Sequence, residues 1–325
     1  MKKQTQPATN ASKPRILAGS LALILIALFS SEIFLEENPP ENSTIKSEIH
    51  RTPTLSSKRA PPPLPAPPGS PSSHKSQDFI NHFRNSVATA MTDENPFALA
   101  VRAREQRGKS GFPLALYITE ACWEARGALS YFKNPNNARE ISEILSRHGA
   151  DAGKHMAQQA LAAQRIESRC GPFSDTELDK PLPDDKDGQK YANLRKELLD
   201  FSRYPVGALV ELSNQGQLEN ALMTLFLWRR FEGERFVSRQ DQELFFSAIH
   251  IAAFRVTSRA DQQALDLRVM TSCLNFSVCD GSYESGQLRM WPPGSTERQR
   301  VLELASRIQQ AFLLNDLNAF LPRKR

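Results

Sequence analysis

A run of fourteen uncharged residues near the start of the chain, from Ile16 to Phe29, constrains how everything after it is interpreted. A charged side chain at the centre of a bilayer costs about 2.5–3.5 kcal/mol on insertion scales, so such a run is typical of a membrane-directed segment. Basic residues precede it and acidic residues follow it, namely Lys2, Lys3, Lys13 and Arg15 before it and Glu32, Glu36, Glu37 and Glu41 after it. Because basic flanks stay in the cytoplasm, the pattern predicts a cytoplasmic N-terminus and export of the rest.

Three interpretations of this segment remain open: an uncleaved signal anchor, a cleaved signal peptide and, least favoured, a buried helix of a globular domain. A membrane span needs about twenty residues, whereas the apolar core of a cleavable signal needs about seven to fifteen. The apolar stretch continues to Leu35 with interruptions only at Ser30, Ser31 and Glu32. Phe29 stands where signal cleavage would require a small side chain. We therefore expect an uncleaved signal anchor over residues 16–35 after a cytoplasmic tail over residues 1–15, with a cleaved signal peptide as the alternative.

Residues 36–75 have the composition of a disordered tether. Ten of the twenty-two prolines lie between Pro39 and Pro71. The segment Ala60–Pro71 favours polyproline II, since proline fixes φ and removes the backbone donor. At about 3.1 Å per residue, such a segment acts as a semi-rigid spacer several tens of Å long. A docking motif for a proline-binding partner is the alternative.

The basic charge of the chain resides outside the predicted folded part. The net charge is +5, and residues 1–75 contribute +4 of it, from nine basic and five acidic groups. The other 250 residues hold 32 basic and 31 acidic groups, a balance of +1. Binding to nucleic-acid phosphates needs a concentrated positive surface, so we expect no nucleic-acid partner.

Residues 76–325 predict an all-α domain, either a multi-helix bundle or an irregular array of helical hairpins. The clearest helix spans Ser295 to about Asn315, with apolar residues at helical spacing and Thr296 and Gln299 at the spacing of a capping box. Two segments are apolar on all sides and predict central helices, Ala221–Trp228 and Leu244–Phe254. Further helices are predicted at Ser76–Met91, Pro96–Arg107, Pro113–Phe132, Asn137–His148, Ala150–Cys170, Gln189–Arg203, Pro205–Asn214 and Ala260–Ser272.

Four cysteines in an exported chain predict two disulfides. Of the three possible pairings, the sequence favours Cys122–Cys170 and Cys273–Cys279. The second pair requires the helix to end between its two cysteines, and Asp280-Gly281 is a turn signal just beyond them. A redox or zinc site is the less favoured alternative, because no C-x-x-C pair occurs.

Recognisable catalytic and cofactor motifs are missing from the sequence, so it predicts no catalytic residue, no cofactor and no metal site. His250 lies in an apolar run and is interpreted as a core histidine. The polar segment Gly171–Gly188 is expected to be an exposed loop between two helical halves. A calcium site there is the less favoured alternative, because Asp184, Asp185 and Asp187 lack the distal bidentate glutamate.

Two function classes remain. The favoured hypothesis is a non-catalytic protein-binding or scaffold module of the cell envelope, tethered to the membrane and periplasmic if the source is bacterial. Aromatic residues are its candidate anchors, although each is equally suited to the core: Trp123, Tyr131 and Trp291. The alternative is a hydrolase of cell-wall polymer using Glu120 and Glu124, whose i, i+4 spacing places two carboxylates on one helix. The simpler interpretation of that pair is a solvated helix edge paired with Arg126.

Overall fold

The computed structural model describes residues 72–173, 177–199, 205–224 and 229–321, with side chains from residue 77 onward. These residues are mostly helical, which confirms the all-α prediction. In chain order the helices are α1 (Ser72–Thr92), α2 (Pro96–Gln106), α3 (Gly108–Lys133), α4 (Ala138–Ser146), α5 (Ala152–Cys170), α6 (Lys186–Leu198), α7 (Val206–Asn214), α8 (Leu218–Thr224), α9 (Arg239–Thr257), α10 (Leu267–Phe276), α11 (Tyr283–Gln287) and α12 (Thr296–Leu313). The only strands in these ranges, β1 (Arg230–Phe231) and β2 (Glu234–Arg235), form an antiparallel hairpin between α8 and α9.

The N-terminal segments proposed from the sequence lie outside the described residues, namely the cytoplasmic tail, the membrane segment over 16–35 and nearly all of the tether. The first described helix, α1, begins at Ser72, four residues before the predicted helix start at Ser76. No proline lies between Pro71 and Pro96, so every residue of α1 has a backbone N–H and the helix can begin directly after Pro71. Within the described ranges, no helix combines the length and apolar character needed to cross a bilayer.

Helix α3 begins five residues before the predicted start at Pro113. Pro113 therefore lies inside the helix and not in its first turn, where the sequence prediction places it. Proline lacks the N–H that would bond to the carbonyl four residues earlier, so the first turn depends on packing for its stability. That packing is close. A Cβ atom added to Gly111 would come within 2.7 Å of the backbone oxygen of Ala103 on α2. Only glycine allows the two helices to approach to this distance.

Two hydrophobic cores lie along α3. The N-terminal core combines α1, α2, α5 and α10 with the middle of α3, and Ile118, Cys122 and Ala125 belong to it. The C-terminal core combines α6 to α9 and α12 with the start of α3, which contributes Phe112 and Leu116. Because α3 supplies side chains to both cores, it connects the two halves of the fold.

Side-chain caps determine where several helices begin. Ser295 caps α12 by accepting the Arg298 N–H, so the predicted capping box at Thr296 is off by one residue. Asp266 caps α10 and divides the predicted helix Ala260–Ser272 into a 3-10 turn and a new α-helix. A capping side-chain oxygen, the Ser295 hydroxyl or the Asp266 carboxylate, accepts from N–H groups that have no partner within the helix, which explains why each helix starts at these positions.

The structure pairs the cysteines as predicted, Cys122 with Cys170 and Cys273 with Cys279. The long bridge joins α3 to the end of α5 inside the N-terminal core. The short bridge closes because α10 ends at Phe276 and Ser277 adopts a left-handed backbone with φ of +55°. This is the helix ending that the sequence required for the second pair.

Candidate functional site

The two carboxylates singled out in the sequence, Glu120 and Glu124, lie one turn apart on α3, and Tyr117 precedes them on the same side of the helix. Three other helices bring polar side chains to this face: Arg195 from α6, Arg268 from α10 and Tyr283 from α11. We call the surface formed by Tyr117, Glu120, Glu124 and Tyr283 the acidic recess. It lies where α3 passes between the two halves of the fold.

Glu120 forms an ion pair with Arg195, whose Nη2 lies 2.5 Å from Oε1 of the carboxylate. The predicted pairing with Arg126 is wrong. Arg126 is six residues from Glu120 and two from Glu124, and side chains at these spacings do not face each other on a helix. Arg195 is largely buried and its Nη1 also contacts Asn220 at 3.5 Å, while Asn220 donates to the hydroxyl of Tyr191 at 2.9 Å. A buried network behind the recess therefore positions Glu120.

Glu124 is exposed at the surface, and no hydrogen bond or ion pair to it is found in the described part of the chain. Desolvation by the surrounding protein raises the pKa of this carboxyl, and the neighbouring charge of Glu120 raises it further. The positive charge of Arg268 acts in the opposite direction. The two glutamates of α3 thus differ in environment, since one is bound to an arginine and the other is not.

Arg268 uses all five of its N–H donors within the protein. Nε and Nη2 bind the two oxygens of Asp266 at 3.0 and 2.7 Å. Nη1 binds the Tyr117 hydroxyl at 3.2 Å and Thr257 Oγ1 at 2.7 Å, and Nη2 also binds the Thr257 carbonyl at 3.0 Å. A guanidinium has five such hydrogens, so Arg268 has none left for Glu124. It influences Glu124 only through its charge.

Tyr283, at the start of α11, lies close enough to Glu124 and Arg268 for their charges to act on its phenol. Its ring stacks on Phe254 with centroids 4.4 Å apart, and its hydroxyl lies 3.3 Å from Nδ1 of His250. Burial raises the pKa of Tyr283, and the charge of Glu124 contributes to that shift, so the phenol stays protonated. Burial lowers the pKa of His250 to about 4. His250 is therefore neutral near pH 7 and, as interpreted from the sequence, packs in the interior rather than serving as a strong base.

The recess has two chemical uses. A carboxyl with a raised pKa beside a carboxylate in an ion pair is an arrangement that separates an acid from a base. An unpaired carboxylate near tyrosine rings also binds a cationic group of a partner. Since Glu120 and Glu124 project from one face of one helix, they approach a ligand from the same side.

Two of the three aspartates in the proposed calcium loop have structural partners. Asp184 pairs with Arg107 at 2.8 Å, and buried Asp185 caps α6 by accepting the Gly188 N–H at 3.0 Å. The prediction of an exposed loop over Gly171–Gly188 is also corrected, because Phe173 and Leu178 in this segment are buried in the N-terminal core. In the described ranges, no group of three or more His, Cys, Asp or Glu side chains is placed to hold a metal ion.

The candidate aromatic anchors are mostly engaged within the fold. Trp291 is buried in the C-terminal core. Trp123 is half-buried against the N-terminal core. Tyr131 donates a hydrogen bond to Glu140 Oε2 at 2.7 Å, and its pKa is raised to about 12 by burial and by that carboxylate. For Trp291, packing in the core is therefore the correct interpretation, and this side chain is not an exposed anchor.

Sequence reasoning found Glu120 and Glu124 but missed the residues that complete the recess, Arg195, Arg268 and Tyr283. These lie 71 or more residues further along the chain than Glu124. Their local sequence shows no motif, because helix packing alone brings them to α3. Comparison of the chain with protein family models, with curated protein sequences and with solved structures finds no match.

Proposed function

We propose that this protein is an exported helical module held at the membrane by residues 16–35, which binds a partner protein of the cell envelope without catalysing a reaction. The observation that carries the proposal is the cystine pairing: all four cysteines are joined, Cys122 to Cys170 and Cys273 to Cys279. Such bridges persist in oxidising compartments outside the cytosol. The charge asymmetry around the apolar run and the proline-rich spacer support the same location.

The acidic recess is the surface that we assign to partner binding. Glu124 has no counter-charge bound to it in the described structure, and Arg268 is saturated by other acceptors. Tyr117 and Tyr283 add aromatic surface beside the carboxylate. A basic side chain of a partner, lysine or arginine, would satisfy Glu124 and contact the rings. The proline-rich spacer would hold this surface at a distance from the bilayer.

The location is tested by labelling thiols in intact cells and in membrane fractions, with and without prior reduction. We expect the full chain in the membrane fraction, with its four cysteines protected until reductant is added. Free thiols on a chain recovered from the cytosol would overturn the export proposal. This outcome does not depend on which partner is bound.

Binding is tested by chemical cross-linking of the full chain in native membranes, followed by identification of the joined peptides. We expect a cross-link from the recess to a basic segment of an envelope protein, and E124Q should reduce its yield several-fold. E303Q, which changes an exposed glutamate on α12, is the matched control and should leave the yield unchanged. An equal yield for E124Q and wild type would contradict the assignment of the recess.

A hydrolase of cell-wall polymer is the second candidate, and the raised pKa of Glu124 beside Glu120 favours it specifically. In that reaction one carboxylic acid protonates the leaving oxygen and a second carboxylate acts as base or nucleophile. Glu124 would be the acid and Glu120 the carboxylate. The same-side geometry of the pair weighs against this mechanism, because the two groups normally flank the bond that is cleaved.

The two candidates differ in turnover. The full chain in detergent is incubated with purified wall polymer, and released fragments are quantified for wild type, E120Q and E124Q. Turnover by wild type that is lost in both variants would establish the hydrolase and reject the non-catalytic proposal. If no variant releases fragments while the cross-link to an envelope protein persists, the binding module is supported.

A further inference from the structure

The loop closed by the Cys273–Cys279 disulfide, here called the cystine loop, is bound to α5 at two positions. Buried Gln159 donates from Nε2 to the Ser277 hydroxyl at 2.9 Å and contacts the Cys273 carbonyl at 3.5 Å. One helical turn earlier on α5, the ring of His155 lies beside the other end of the loop. The Cys279 N–H donates to Nδ1 of His155 at 3.2 Å.

The second contact restricts the protonation state of His155. A ring nitrogen accepts a hydrogen bond only when it carries no proton, so Nδ1 must be bare and the ring proton must be on Nε2. Protonation of Nδ1 replaces the acceptor by a donor that faces the Cys279 N–H. The hydrogen bond to the loop therefore exists only while His155 is neutral.

A second imidazole lies against the first. His148, from the turn between α4 and α5, stacks on His155 with ring centroids 4.0 Å apart and planes inclined by 31°. Two neutral rings tolerate this stacking, whereas two imidazolium ions at this distance repel each other. Protonation of His155 therefore removes its hydrogen bond to the loop, and its stacking on His148 is opposed only when both rings carry a proton.

The charges around His155 come from both neighbouring segments. Burial, His148 and Lys154 lower its pKa, while Asp151 and Asp280 raise it. Asp280 immediately follows the cystine loop, so its carboxylate would keep some attraction to a protonated His155. The balance leaves the pKa below the usual 6.5, and the ring is neutral at pH 7.

From this geometry we propose that His155 is a pH-sensitive latch, which binds the cystine loop to α5 at neutral pH and releases it on protonation. The disulfide keeps the loop closed, so the loop separates from His155 as an intact unit instead of unfolding. Gln159 retains its hold on Ser277, which restricts the movement to the Cys279 end. An exported domain experiences the pH of its surroundings directly, but the latch does not depend on the proposed function.

The latch is tested by NMR on the full chain in detergent, with 15N-cysteine and 13C-histidine labels and the disulfides intact. Four cysteine amides are then observed, and only that of Cys279 is bonded to a histidine. We expect its chemical shift and its hydrogen-exchange protection to titrate together with the ring of His155, at a midpoint below pH 6.5. Protection, corrected for intrinsic exchange, should fall about tenfold for each pH unit below that midpoint.

Two variants separate the latch from general acid sensitivity. H155N offers an amide oxygen near the position of Nδ1 and does not titrate, so protection of the Cys279 amide should persist at low pH. H148Q removes the stacked imidazole and should raise the midpoint. The amides of Cys122, Cys170 and Cys273 serve as internal controls because they lie in helices.

Several results would overturn the proposal. One is a Cys279 amide whose protection does not change while His155 titrates. Another is a pH response in H155N as large as in wild type. Loss of protection at all four cysteine amides together would indicate acid unfolding of the domain, and this too rejects a local latch.

Discussion

Arg84 on α1 and Glu219 on α8, 135 residues apart in sequence, form an ion pair in the protein interior. Nε to Oε1 is 2.9 Å and Nη2 to Oε2 is 3.1 Å, and each side chain is only 4% exposed. Nη2 also donates to the Phe312 carbonyl at 2.6 Å, near the end of α12. One guanidinium thus joins the first described helix to two helices of the C-terminal half.

This ion pair leads to a prediction about stability. Methionine at position 84 would leave Glu219 buried without its counter-charge, so R84M should lower the free energy of unfolding by about 3–5 kcal/mol. The double variant R84M/E219L removes both charges and should recover most of that loss. Urea unfolding followed by circular dichroism measures both values.

A surface ion pair provides the control for this prediction. Lys133 and Glu167 lie 2.7 Å apart with half or more of each side chain exposed, and K133M should cost less than about 1 kcal/mol. If R84M lowered the free energy of unfolding no more than K133M does, the prediction that breaking the buried pair is strongly destabilising would be wrong.

The two disulfides should differ in their contribution to stability. In the loop-entropy model a bridge between cysteines 48 residues apart contributes about 4 kcal/mol, and one between cysteines six residues apart contributes about 2.2 kcal/mol. C122A/C170A should therefore be destabilised more than C273A/C279A when unfolding is measured without reductant. Equal losses would show that constraint of the unfolded chain is not what distinguishes the bridges.

Gly111 should tolerate no side chain. In G111A the new Cβ would lie 2.7 Å from the backbone oxygen of Ala103, and a carbonyl of a packed helix cannot move aside easily. We expect a loss of about 1–3 kcal/mol, the range for overpacking. G153A is the matched control, since nothing lies within 4 Å of its new Cβ and alanine favours a helix; it should gain about 0.5 kcal/mol. Thermal melting of both variants tests the contrast.

Glu124 should make stability depend on pH. Its pKa is raised in the folded state above the ordinary 4.5, so between these two pKa values the folded protein holds more protons than the unfolded chain. The free energy of unfolding therefore falls as pH rises through that interval. E124Q lacks this effect and should be more stable than wild type at pH 7, with the difference disappearing below pH 4.5.

Urea unfolding of wild type and E124Q at pH 4 and pH 7 measures this difference. E303Q again serves as the comparison for loss of one surface carboxylate. If wild type were more stable than E124Q at pH 7, the folded protein would stabilise the ionised carboxylate of Glu124. That result would contradict a raised pKa of Glu124.

The local sequence of this chain predicts most of the helices because their signals are local. Apolar residues at helical spacing predict α12, and the run that is apolar on all sides, Leu244–Phe254, predicts α9. The cystine pairing that the sequence favours among three possibilities is the one in the structure. The small hairpin is missed because its strands are only two residues long, too short to show an alternating pattern in the sequence. Its turn depends on positive φ angles at Glu232 and Gly233, which such a pattern does not predict.

Contacts between distant segments decide the rest. Gly111 lets α2 approach α3, so α3 begins before Pro113, contrary to the interpretation from a proline pattern alone. Glu120 pairs with Arg195 of α6 instead of Arg126, because only packing of one helix on another brings that guanidinium within reach. Spacing along the chain determines helices and their faces, whereas the environment of each carboxylate is set by side chains from other helices, and only the tertiary structure brings those together.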